Sequence, residues 1–309
     1  MENEYIGKVK INYMNYGGED LYSDGAVEDE LLSIVKDGRE EDYDRIITEK
    51  NFWPITYHLS HIRQNILEWY PFDKGGRALE IGAGCGAITG VLARGCESVT
   101  CVDLSRKRSM INAYRNRDYG NIEIRVGNFQ DVEPGLPDYY EYITLIGVLE
   151  YGASYIQGER PYEEFLRIVR RHLAPNGKLF IAIENKYGLK YWAGCKEDHV
   201  SRYYEGIEGY THTTDVRTFS KKGLQEMLEE TGYSNVTFYY PYPDYKLPMM
   251  IYSDKRLPHP GELVRNGVHL DNDRLVTFDE RKVFDSLAED GMFPEFSNSF
   301  LVVAEAKES

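Results

Sequence analysis

The residues best suited to chemistry lie between Ala78 and Ala87, which read A-L-E-I-G-A-G-C-G-A. Ala78 to Ile81 is a short apolar run carrying one acid, Glu80. Gly82, Gly84 and Gly86 then alternate, and small and apolar residues suited to a helix resume from Ala87 to Ala93. A strand, a glycine turn and a helix N-terminus in that order let a ligand approach bare backbone. A second apolar run, Val99 to Val102, ends in Asp103. An acid placed there, roughly 20 residues past the glycines, can bind both hydroxyls of a ribose.

Gly82, Gly84 and Ala87 also fit G-x-G-x-x-A, the dinucleotide fingerprint. Glu80 ahead of the glycines gives the longer pattern E-x-G-x-G-x-G, and with Asp103 this resembles the class I S-adenosylmethionine-dependent methyltransferases, which are Rossmann-like. The resemblance implies S-adenosyl-L-methionine as cofactor. Glu80, Gly82, Ala83, Gly84 and Gly86 would pass under its methionine and ribose, and Asp103, with Leu104 beside it, would hold the ribose. Asn128 stands where the family usually has an acid for the adenine amino group. Its side-chain oxygen can accept that bond, and Phe129 can pack on the ring. The resemblance also implies Gly147 at the end of the fourth strand, and Tyr57, His58 and Arg63 on a covering helix.

The loop Val148-Leu149-Glu150-Tyr151 looks like the V-L-E-H loop of small-molecule O- and C-methyltransferases. The Asp/Asn-Pro-Pro-aromatic motif of amino-directed relatives is absent from it. The pattern from Glu184 to His199 resembles methyltransferases near bacterial glycan and glycosyltransferase genes. Transfer to a hydroxyl needs a group that takes its proton. His199 is the first candidate, with His212 and Glu150 next. The sequence shows no compact metal-ligand motif, so no metal is assigned. Two other readings use the same glycine turn: an NAD(P)-dependent oxidoreductase and a non-catalytic cofactor-binding module.

The elements around these residues read as strand 77–81, helix 86–95, strand 98–102, helix 105–117, strand 122–126, strand 139–147, helix 161–173 and strand 177–183. Such alternation predicts a doubly wound, mostly parallel sheet, here seven-stranded, with the strand C-terminal ends along one edge. Upstream, residues 5–16 read as a strand, 26–36 as a helix, 39–50 as a loop or short helix, and 52–70 as one helix. Downstream come helix 219–231 capped by Ser220, strand 235–240, a helix at 279–289 and a last strand at 299–306. Residues 1–50 read as an N-terminal extension to a methyltransferase domain spanning 51–309, with insertions at 184–218 and 241–298 covering the active-site edge.

The charge of −15, from 36 basic and 51 acidic residues, disfavours a phosphate backbone as substrate. Arg106, Lys107 and Arg108 form a local basic cluster better suited to the start of a helix. The cysteines Cys85, Cys96, Cys101 and Cys195 form no C-x-x-C pair, which fits a reduced, cytoplasmic protein. No apolar run is long enough to span a bilayer. The 26 tyrosines suit a wet cleft for a polar small molecule or glycan. The sequence says nothing of oligomeric state.

Overall fold

The structure is a computed structural model and describes residues 3–20, 25–156, 158–213, 215–266 and 274–307. The chain forms two compact units: residues 1–145 with 171–179, and residues 146–170 with 180–309.

In the first unit the strands are β1 (Asn3–Ile6), β2 (Val9–Asn15), β3 (Arg77–Ile81), β4 (Ser98–Asp103), β5 (Ile122–Gly127) and β6 (Tyr140–Ile146), in the order β1-β2-β5-β4-β3-β6. β2, β5, β4, β3 and β6 pair in parallel, and β1 is antiparallel on β2. The central strands are apolar on both faces, as a parallel sheet buried by helices requires: Ala78, Leu79, Val99, Cys101, Ile124 and Ile143 are all buried. Ile81 pairs with Val102, and Asp103 with Val126. The turns that follow β3, β4 and β5 therefore emerge side by side on one edge.

Three expectations change here. The strand at 5–16 is a hairpin, because the chain reverses at Gly7 with φ 58°. The helix expected from residue 86 begins only at Thr89, because Gly82, Gly84 and Gly86 all hold positive φ. The helix expected over 52–70 is broken at Ser60, whose extended backbone (ψ 127°) turns its hydroxyl onto the Ile62 N–H. Trp53–Leu59, a 3-10 turn His61–Gln64 and Asn65–Glu68 result.

The option left open at 39–50 resolves as helix Tyr43–Lys50. With helix Ala26–Asp37 it contributes Leu31, Val35 and Tyr43 to a buried cluster with Ile55, Leu59, Ile111 and Cys85. Cys85 belongs to the glycine turn, so the N-terminal helices pack on the back of it. The basic cluster is absorbed locally: the Arg106 guanidinium lies 5.5 Å from the centre of the Tyr13 ring while Asp20 accepts its backbone N–H (2.6 Å), Lys107 pairs with Asp29 (2.7 Å), and Arg108 pairs with buried Glu28 (2.7 Å).

β7 (Leu173–Glu184) runs from the first unit into the second. The second unit adds β8 (Tyr233–Tyr242), β9 (Met250–Ser253) and β10 (Ser299–Ala306), in the order β7-β10-β8-β9, with β10·β8 and β8·β9 antiparallel. Phe180, Ile181, Ile183, Phe238, Tyr240, Phe300 and Leu301 form its apolar interior. Ser220 caps helix Lys221–Glu230 by accepting the Gly223 N–H at 3.1 Å. The described strands number ten rather than seven, because the first fifteen residues bring a hairpin and β9 adds to β8. The class is the doubly wound α/β fold expected. No described helix is long and apolar enough to cross a membrane.

Ile143 is fully buried on β6, and Ile143→Ala is expected to lower stability by about 2–5 kcal/mol. Ser220→Ala, which removes only a cap, is expected to cost about 1 kcal/mol. Urea unfolding of the two variants checks the ranking; equal losses would contradict the assigned core.

Candidate active site

The turn after β3 is shaped by glycines that no other residue replaces cheaply. Gly84 has φ 52°, and the space a Cβ would enter is open. Any L side chain there carries strain of roughly 1–2 kcal/mol and projects where a ligand would lie. Gly86 has φ 75°, and a Cβ would fall 2.3 Å from Asn112 Oδ1. The Gly84 N–H donates to Asp103 Oδ2 at 2.7 Å, and the Ser105 N–H donates to Asp103 Oδ1 at 2.9 Å. Burial pushes the Asp103 carboxyl up, and these two N–H groups act against that shift. Leu104 lies between Asp103 and the capping Ser105.

Beneath the turn, Glu80 is buried and accepts the Thr89 hydroxyl at 2.6 Å. Burial pushes its carboxyl up to about 7, against the pull of Thr89 and Cys101. Arg63 is 7% exposed, yet its Nε and Nη1 have no hydrogen-bond partner. Its guanidinium lies 3.9 Å from the centre of the Tyr57 ring and lowers the Glu80 carboxyl. A buried cation with open donors is costly, and it suits an anionic group that arrives with a ligand. On the same edge, Asn128 caps helix Phe129–Val132 through its Oδ1, which accepts the Gln130 N–H at 3.1 Å. Phe129 is buried beside it in sequence.

The second unit holds a separate cluster of buried charge. The Gly147 N–H donates to the Ala182 carbonyl at 2.9 Å. That bond sets the loop carrying Glu150 beside the end of β7, where Glu184 stands. Glu150 and Glu184 are 1% and 0% exposed. His199 Nε2 lies 3.6 Å from Glu150 Oε1 and 3.8 Å from Glu184 Oε2, and its Nδ1 lies 3.0 Å from Glu197 Oε1. Glu197 also accepts the N–H groups of His199 and Val200, each at 2.8 Å, and the Tyr210 hydroxyl at 3.2 Å. The imidazole is thus oriented by Glu197, with Nδ1–H donating and Nε2 turned to the other two carboxylates. Tyr151 meets the ring edge-on at 5.4 Å. Burial works against the imidazolium, but Glu184, Glu150 and Glu197 outweigh it and hold the His199 pKa well above its ordinary value. Burial raises the Glu150 carboxyl, with His199 opposing.

Asp198, next to His199 in sequence, points elsewhere. It pairs with Lys190 (2.9 Å) and Lys246 (2.8 Å) and accepts the Tyr191 hydroxyl. Despite burial, the two ammonium groups hold it well below the usual carboxylate range. Lys190 also pairs with Asp244 (2.9 Å), and Lys246 with Glu184 Oε1 (2.7 Å). Glu184 Oε1 still has no hydrogen bond of acceptable direction. His212 is half exposed and bonded to Glu205 at 2.8 Å.

Comparison with known families decides the class. The methyltransferase-domain profile matches residues 55–237, more than half the chain. The chain belongs to the methyltransferase-domain family. Its cofactor is S-adenosylmethionine, and the residues present fit it: Arg63 with open Nε and Nη1 for an anionic group, open backbone at Gly84, and half-buried Asp103 for hydroxyls.

Solved structures of similar fold include a CurJ carbon methyltransferase (17% identity, 78% of this chain and 51% of that one, TM-score 0.45). Others are an S-adenosylmethionine-dependent methyltransferase from Archaeoglobus fulgidus (15%, 79% and 92%, 0.48) and DhpI with S-adenosylhomocysteine (14%, 93% and 100%, 0.45). The chain spans about half the length of the CurJ protein it matches. No curated protein matches the sequence.

Of the residues singled out from the sequence, Glu80, the three glycines, Asp103 and Arg63 gather in the first unit, and Glu150 meets His199 in the second. Glu184, Glu197 and Lys246 were not singled out. Glu184 had one available signal: an acid directly after a strand of the alternating strand–helix series stands at a strand C-terminal end, where such folds bind ligands. The fold also assembles Glu150, Glu184 and His199 into a group able to hold a metal ion. The sequence hides it because the three come from separate elements: the 3-10 turn after β6, the end of β7 and a loop.

Arg63→Ala is expected to weaken S-adenosylhomocysteine binding at least tenfold, about 1.4 kcal/mol, with no net loss of apo-protein stability, since relief of a buried guanidinium with open Nε and Nη1 offsets the lost contact with the Tyr57 ring. Calorimetry and unfolding of the same variant check both signs. Glu80 gives a pH effect. Its pKa is raised on folding, so its contribution is complete below the ordinary 4.5 and lost as pH rises through about 7. Glu80→Gln is expected to melt above the apo wild type near pH 8, with the gap closing towards about pH 5. A gap that does not change with pH would contradict the assigned burial.

Proposed function

We propose that this enzyme transfers a methyl group to a hydroxyl of a polar acceptor, namely a glycan, a nucleotide-sugar or another small metabolite. The acceptor's proton is handled by Glu150 and His199. One observation carries this reading: Glu150 is 1% exposed, its Oε1 lies 3.6 Å from His199, and its Oε2 has no hydrogen-bond partner. A buried carboxylate oxygen left open is an acceptor waiting for a donor.

In this reading Arg63, Asp103, Leu104 and the backbone from Gly82 to Gly86 hold the cofactor, with Asn128 and Phe129 serving its base and Gly147 ending the strand beside it. Held there, S-adenosylmethionine would supply a methyl group on a sulfonium whose sulfur can keep the C–S electron pair. Glu150 Oε2 takes the hydroxyl proton and later gives it to water. His199 spreads the charge of that carboxylate, and Glu197 keeps the imidazole in one orientation. Tyr151 excludes water from one side of the ring. His212, tied to Glu205, is a reserve candidate.

Residues 184–218 and 241–298 supply Glu184, Glu197, His199 and Lys246, so we retain them as insertions that serve the acceptor, and residues 1–50 as an extension. The net charge of −15 favours a small acceptor over nucleic acid, and the cysteine pattern favours a cytoplasmic setting.

The test is transfer of labelled methyl to a panel of hydroxylated acceptors. Glu150→Gln is expected to lower kcat by roughly 10²–10⁴ while S-adenosylhomocysteine affinity stays within about threefold of wild type. Unchanged kcat in that variant would remove Glu150 from the reaction.

A further inference from the structure

We propose that Glu150, Glu184 and His199 form a binding site for one first-row divalent cation. The donor atoms of the three residues lie within 4.8 Å of one another, with His199 Nε2 at 3.6 Å from Glu150 Oε1 and 3.8 Å from Glu184 Oε2. Those separations are too long for hydrogen bonds. They approach the spacing of roughly 3–4.4 Å between donors that share an ion through bonds of about 2.0–2.2 Å. Glu150 Oε2 and Glu184 Oε2 are buried and have no hydrogen-bond partner. Two carboxylates that meet an imidazole edge without bonding to it, with further oxygens left open, are missing a shared partner.

The surroundings fit an ion. Glu197 accepts from His199 Nδ1 at 3.0 Å, the carboxylate–histidine support that fixes a metal-binding imidazole. Lys246 sits on Glu184 Oε1 at 2.7 Å and leaves Oε2 for the site. Five carboxylates of this network, Glu150, Glu184, Glu197, Asp198 and Asp244, face two ammonium groups, Lys190 and Lys246. A divalent cation offsets most of that excess. One nitrogen and two oxygen donors suit Mn²⁺, Fe²⁺ or Zn²⁺ better than Mg²⁺.

Three protein ligands leave positions for the acceptor. An acceptor hydroxyl bound there would ionise more readily, with His199 as ligand rather than proton carrier. This role rests on the proposed hydroxyl transfer; the binding of the ion does not.

The experiment uses full-length protein stripped with chelator and titrated with Mn²⁺, Zn²⁺ and Mg²⁺ by calorimetry. One Mn²⁺ or Zn²⁺ per chain is expected, bound at least tenfold tighter than Mg²⁺. Glu184→Gln and His199→Ala are each expected to weaken it at least tenfold, and Glu205→Gln, at the separate His212 pair, to leave it unchanged. Should the variants fail to fold, pulsed electron paramagnetic resonance of Mn²⁺ on the wild type decides: coupling to one imidazole nitrogen is expected. Absence of that coupling, or of any bound ion, overturns the site. Methyl transfer that persists with no ion bound overturns the ion's role in the reaction, whereas an ion bound without transfer to any hydroxyl supports the site and removes the hydroxyl reading.

Discussion

Asp103 accepts the Gly84 N–H at 2.7 Å, and the organisation of the first unit depends on that bond. It ties the end of β4 to the turn after β3, the two places on which the proposed cofactor site draws. The bond is available because β3 and β4 are parallel neighbours in a register that pairs Ile81 with Val102. Asp103 then emerges one residue further, level with the turn. The glycines permit the backbone to curl there, and burial pushes the Asp103 carboxyl up while the N–H groups of Ser105 and Gly84 and the Arg108 charge act against that shift. Removing any of the three contributions, parallel register, positive φ or the acid, leaves the others without purpose. The packing of Cys85 against Leu31, Val35, Tyr43 and Ile55 holds the turn from behind.

The second unit is organised by charge instead of by bare backbone. Burying so many ionised groups costs more than their attraction returns unless every partner is in place. Lys190, Lys246 and Asp198 meet that condition through short ion pairs and the Tyr191 hydroxyl. Glu150 and Glu184 do not, for they retain open oxygens. A fold selected for stability alone would fill this space with apolar side chains. The unbalanced part of the network is the part that we propose meets the acceptor and an ion, and the balanced part, Lys190–Asp198–Lys246, lies next to it through Lys246 and Glu184.

How much could be read from the sequence depends on how local each feature is. The glycine turn, Glu80 and Asp103 occupy a short stretch with fixed spacing, and the fold class followed from the alternation of strands and helices after Arg77. Ser220 and the helix it caps were legible because capping is decided within four residues. The hairpin at Gly7 was hidden, since an alternating pattern runs through the reversal. The break at Ser60 was hidden because apolar spacing continues across it. Glu184, Glu197 and Lys246 were invisible as a site: their partners lie far along the chain, and only folding brings them together. His199 was found for its chemistry, yet its neighbour in space is Glu197 rather than the adjacent Asp198.

The most direct measurement is calorimetric titration of the purified wild-type protein with S-adenosylmethionine and, in parallel, with NADH. The account predicts saturable binding of the sulfonium nucleoside at micromolar concentration, one per chain, and no heat with the nicotinamide. Binding of NADH with none of S-adenosylmethionine would contradict it.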